Sequence, residues 1–233
     1  MEYERFVYPS YDEPTAIAYD GAFEAAYILL HPFVRLPDEL ASLIERYPDD
    51  EQLISVGSKC SWAFIGERLG FASYPKLNRA LLTSTRAIVD QLCDFEASAS
   101  LNSFLEANPI WMPANGGFDP LLRCDYLSAF DSSGNPELIF VPEFPEIDKS
   151  ARISLSQLRS GVAPFPYRGT LIAPDCSFLF TVDWDSFFTL MFGPRTLLES
   201  IVSERKLEGF YATQTTKHFW FKDAEEEKFP GTA

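Results

Sequence analysis

The chain has 233 residues, 46% apolar and 23% charged, and 34 acids against 19 bases give a formal net charge of −15. It is long enough to bury a core without disulfide or metal staples, and its composition excludes disordered, collagen-like and coiled-coil classes. Such a surface repels a nucleic-acid duplex or an anionic membrane, and no local basic patch offsets it, so neither is an expected partner.

Residues 1–34 read as a loop-rich entry, broken by Tyr8-Pro9-Ser10-Tyr11 and Asp12-Glu13-Pro14, with a short helix or strand between Asp20 and Leu30 that His31-Pro32 ends. Pro37-Asp38-Glu39 opens a helix to about Tyr47. Ser61 caps a second helix through Leu69, closed by Gly70. Tyr74-Pro75 opens the longest one, to about Glu96, and Ser100 caps another over 101–107. Residues 109–120 are a Pro/Gly loop, including Asn115-Gly116-Gly117.

Strands are expected beyond that loop. Segments 121–130 and 137–141 look extended, followed by a short helix over 154–160. Segments 167–172 and 177–182 read as a hairpin around Pro174-Asp175. A helix is expected over 195–206, and a second hairpin joins 209–213 to 217–222. The sum is an α+β fold, a helical N-terminal half packed on a mainly antiparallel C-terminal sheet. It is read as a single domain over residues 1–222, with an acidic tail over 223–233.

The sharpest local motif is Asp183-Trp184-Asp185, which follows the apolar run Phe178-Leu179-Phe180-Thr181-Val182. In an extended strand both carboxylates would share one side and could hold Mg²⁺. An apolar strand followed by D-x-D resembles the first motif of haloacid-dehalogenase-type phosphatases and the metal site of some glycosyltransferases. Ser186-Phe187 depart from the phosphatase pattern, and Asp185-Ser186 equally suit the cap of a helix over 187–192. His218 alternates with Trp220 on the last expected strand, so the two would face one groove. Neither His218 nor His31 has a metal-binding sequence partner.

The four cysteines lack zinc-site spacing, and no phosphate-cradling loop or nucleophile elbow occurs. No catalytic residue, cofactor or metal is therefore assigned. Met1-Glu2-Tyr3-Glu4 is acidic where an export signal needs a basic start, and the apolar run over 178–193 carries two acids. A cytoplasmic protein is expected.

Several stretches resemble, in order and placement, a bacterial domain-of-unknown-function family, the one numbered 2711. They are the run from Ala25 to Val34, then Ser61-Trp62, Leu82-Thr83-Ser84, Asp185-Ser186-Phe187-Phe188-Thr189 and Leu207-Glu208-Gly209-Phe210. The resemblance spans most of the chain and implies a shared fold, with no activity attached. The composition is also similar to that of small acidic immunity proteins that neutralise toxins.

The first 60 residues hold 12 acids and four bases, and aromatics make up 15% of the chain. These features favour a non-enzymatic module that meets a basic protein through an acidic, aromatic-bearing surface. The alternatives are a Mg²⁺-dependent hydrolase or transferase using Asp183 and Asp185 with His218 as a base, and a small-molecule site formed by Trp184, His218 and Trp220.

Overall fold

The computed structural model describes residues 3–41, 47–222 and 229. Chain contacts gather into two units, one from Met1–Leu30 and Asn115–His218, the other from His31–Ala114 and Phe219–Ala233. The fold class is α+β, as the sequence implies.

The first unit is built on a seven-stranded sheet. Its strands lie in the order Gly209–Tyr211, Ala25–Leu30, Phe188–Gly193, Leu179–Val182, Gly169–Ile172, Glu137–Val141 and Ala151–Ser154, and every neighbouring pair is antiparallel. Alternate residues such as Tyr27, Leu29, Phe180, Val182 and Leu171 enter one core with Tyr126 and Phe130 of the helix Arg123–Ser132 and Leu198 and Ile201 of the helix Arg195–Arg205. The strands Ala25–Leu30 and Phe188–Gly193 are buried at every position, which is why they read as unbroken apolar runs rather than as alternation.

Strands 137–141 and the 167–182 hairpin form as the sequence implies, and Ser154 caps the helix Leu155–Arg159 with a reciprocal bond to Gln157. Segment 121–130 does not. It is a helix, because Asp119 accepts the Leu121 N–H ahead of Pro120, and Leu122, Tyr126 and Phe130 then recur at helical spacing toward the core.

The second hairpin is also absent. Gly209–Tyr211 pairs with Tyr27, Ile28 and Leu29, and the backbone of Gly209 passes so close that a Cβ there would lie 2.0 Å from the Ile28 carbonyl oxygen. Residues 213–216 close a threonine turn in which Thr216 Oγ1 accepts the Thr213 N–H. The helix expected over 187–192 is a strand.

The second unit has its own antiparallel sheet, in the order Ser58–Cys60, Phe33–Arg35, Ile110–Trp111. Ser61 caps the helix Trp62–Leu69 by accepting the Phe64 N–H, and Gly70 ends it in a left-handed conformation. The helix expected over 37–47 is described as Asp38–Ala41, and 42–46 fall outside the described residues, as does the acidic stretch 223–227. The acidic run Asp49-Asp50-Glu51 caps and opens the helix Asp50–Val56, where the dipole favours negative charge.

The long helix over 74–96 is instead two. Tyr74–Ser84 ends where the hydroxyls of Thr83, Ser84 and Thr85 bond back to the carbonyls of Arg79, Ala80 and Leu81. Arg86 then turns left-handed, and Asp94 caps Phe95–Glu106, so Ser100 lies inside that helix rather than at its start. No described helix is long and apolar enough to cross a membrane.

Candidate functional site

Three neighbouring strands of the large sheet end together. Register aligns Val141 with Thr170 and Thr181, and the next row is Pro142, Gly169 and Val182. Just beyond the paired residues the three segments carry charge at Glu143, Arg168 and Asp183, and Arg168 lies 3.4 Å from Glu143. The next residue of each segment is a ring, Phe144, Tyr167 and Trp184, each more than half exposed, at 52%, 63% and 56%.

The N-terminal segment crosses this sheet end. Tyr8 and Tyr11, together with Glu143, Gly169, Thr170 and Asp183, line a cavity of about 200 Å³. The Tyr11 hydroxyl donates to the Asp183 carboxylate. The Tyr11 ring stacks on His218, with centroids 3.8 Å apart and planes 6° from parallel, while the Tyr8 hydroxyl shares a 2.9 Å hydrogen bond with His218 Nδ1. Arg168 donates through Nε to the Gly116 carbonyl at 2.6 Å and lies 3.4 Å from Glu143. Gly116 has a positive φ of 69°, and its N–H donates to Ser186 O at 3.0 Å, which straps the Asn115-Gly116-Gly117 loop to the turn after Asp183.

Burial sets the protonation states. It lowers the His218 imidazole to about 4, so the ring is neutral near pH 7. Burial raises the Asp183 carboxyl, against the Tyr11 hydrogen bond that favours its charged form. Burial also raises both tyrosine hydroxyls, with Asp183 reinforcing the effect on each. The cavity thus holds two carboxylates, Asp183 and Glu143, near the Arg168 guanidinium, which Gly116 and Glu143 already engage.

The five residues singled out in the sequence separate. Asp183 and His218 come together through Tyr11, while Trp184 is half exposed and not part of the cavity lining. Asp185 takes a left-handed turn conformation at φ 58°, which breaks the alternation that would have set its carboxylate beside that of Asp183. Trp220 sits in the short 3₁₀ helix Trp220–Lys222 of the other unit, fully buried, so it shares no strand with His218. Among the described residues no group of three or more His, Cys, Asp or Glu side chains is placed to hold a metal ion.

His31 is likewise a buried neutral ring. Its Nδ1 lies 2.8 Å from the Ala114 carbonyl, and its own carbonyl accepts the Trp62 indole N–H. Tyr8, Tyr11, Glu143 and Arg168 carry no motif. The one trace of them in the sequence is the tyrosine pair around Pro9, which reads locally as a turn.

A family model described as "Protein of unknown function (DUF2711)" matches residues 11–222. The chain is 18% identical over 206 residues to the "Uncharacterized protein YwbB" of Bacillus subtilis (strain 168), covering 86% of this chain and 91% of that protein. No solved structure matches.

Proposed function

The chain belongs to the DUF2711 family, and we propose that it is a protein-interaction module whose cavity receives an arginine or lysine side chain from a basic partner. The observation that carries this reading is a cavity lined by two carboxylates, Glu143 and Asp183, together with Tyr8 and Tyr11. Phe144 and Trp184, next to those acids in the chain, are more than half exposed.

Size supports it. About 200 Å³ suits one long side chain, whereas small organic ligands occupy roughly 300–1,000 Å³. Chemistry supports it too. The aliphatic stem would lie along the tyrosine rings while its charged head meets the carboxylates, and exposed aromatics are the residue type that dominates interface energetics. Burial raises the Asp183 carboxyl even with Arg168 nearby, and an inserted cation would favour its charged form further. The net charge of −15 steers a basic partner toward the surface. An immunity-type inhibitor of a basic enzyme is the most concrete form of this role, and a cytoplasmic location suits it.

Pull-downs at low and high salt with the unaltered chain, Asp183→Asn and Trp184→Ala test the reading. A basic protein recovered at low salt and lost with either variant is the expected result. A partner retained by both variants, or none at all, refutes it.

A small molecule in the same cavity is the second reading, favoured by the Tyr8–His218 hydrogen bond at its wall. A thermal-shift screen of metabolites without a protein partner, repeated with Asp183→Asn, separates the two, since a ligand of this cavity raises the melting temperature of the unaltered chain and not of the variant. The Mg²⁺ reading of Asp183 and Asp185 draws less support, because the turn conformation of Asp185 removes the shared side it depends on.

A further inference from the structure

The unit formed by His31–Ala114 and Phe219–Ala233 carries a larger cavity, of about 700 Å³, well inside the range of small-ligand sites. We propose that this cavity binds an organic cation with an aromatic body, of the arylalkylamine class. The inference is independent of the basic-partner reading, which concerns the other unit.

The apolar part of the cavity comes from Leu105 and Ile110, both buried, and from two aromatic rings. Tyr47 and Trp111 meet edge to face, with centroids 6.2 Å apart and planes at 90°, and both retain solvent exposure. An edge-to-face pair leaves ring surface for a third aromatic group to pack against.

Charge selects the sign of the ligand. Asp38 and Glu106 are exposed carboxylates on the lining, and no described lining residue carries positive charge. The twelve-residue helix Phe95–Glu106 ends at the cavity, so its partial negative pole lies there as well. The end is tied off by Asn108, whose side-chain amide donates to the Phe104 carbonyl at 2.7 Å and whose backbone N–H donates to the Leu105 carbonyl. Two carboxylates, a helix C-terminus and two aromatic rings all favour a cation. An anion of the same shape meets the same groups with the sign reversed, and a neutral one gains the apolar contact alone.

Calorimetric titration of the whole chain with tryptamine, indole and indole-3-acetate tests the proposal, because the three share one ring and differ in charge. Tryptamine should bind at least tenfold more tightly than indole, and indole-3-acetate more weakly than indole. The Asp38→Asn, Glu106→Gln double variant changes two exposed side chains and keeps the fold. It should weaken tryptamine about tenfold and leave indole unchanged. Trp111→Ala should abolish binding of all three, and if that variant fails to fold the double variant still decides. Tryptamine binding no tighter than indole, or tryptamine affinity unchanged in the double variant, overturns the proposal.

Discussion

His218 and His31 are both held as neutral rings by burial, each lowered from 6.5 to about 4. A lowered imidazole makes the fold lose stability as pH falls. Between about 6.5 and 4 the unfolded chain takes up protons that the folded chain refuses, and each ring accounts for up to about 3 kcal/mol over that interval. Asp183 acts with the opposite sign, because its raised carboxyl keeps a proton the unfolded chain has released, so its contribution is lost as pH rises through its titration. Urea midpoints should therefore fall from pH 7.5 to pH 4.5, and the slope should flatten in His218→Asn. Tyr8→Phe removes the hydroxyl bonded to His218 Nδ1 and should destabilise by about 1–3 kcal/mol, read by the same denaturation curves. None of these couplings is visible in the sequence, since Tyr8 and His218 are 210 positions apart. The sequence shows the residue types, aromatic and titratable, without the geometry that joins them.

Some elements followed local chemistry, while the caps read at Ser100 and at Asp185-Ser186 did not form. The helix capped by Ser61, the short helix within 154–160 and the 167–182 hairpin formed as their residues imply, because each signal acts within a few positions. Segment 121–130 reads as a strand and forms a helix. Its aromatic and leucine content suits a sheet, and the Asp119-Pro120 start and the Leu122–Tyr126–Phe130 spacing were the stronger evidence. Phe130 is fully buried among Phe178 and Phe180, so Phe130→Ala should cost about 3–5 kcal/mol in equilibrium unfolding. The strand Gly209–Tyr211 tests pairing rather than packing. Gly209→Ala would force a Cβ against the Ile28 carbonyl oxygen, a backbone atom that cannot yield without breaking the Tyr27–Leu29 register. Hydrogen exchange should then show lost protection over 209–211 and 27–29, with protection retained over 169–182.

At the scale of the whole chain, the strand Ala25–Leu30 lies between Phe188–Gly193 and Gly209–Tyr211, two segments from the far end of the sequence. A truncation beginning at His31 should therefore fail to fold cooperatively by circular dichroism, because it opens the sheet at an interior position. The chain passes between its two units three times, after Leu30, after Ala114 and after His218. We expect those ties to give one calorimetric transition, in keeping with a single domain over 1–222. By itself the sequence determined what depends on nearby residues and on totals: the α+β class, most caps and turns, the acidic balance and the family resemblance over most of the chain. The tertiary structure alone decided which strands the first 30 residues join, that Trp220 and His218 belong to different units, and that Glu143 and Asp183 line one cavity with Tyr8 and Tyr11. Strand order and register are fixed by side-chain burial between segments far apart in sequence, and no local pattern encodes that partnership.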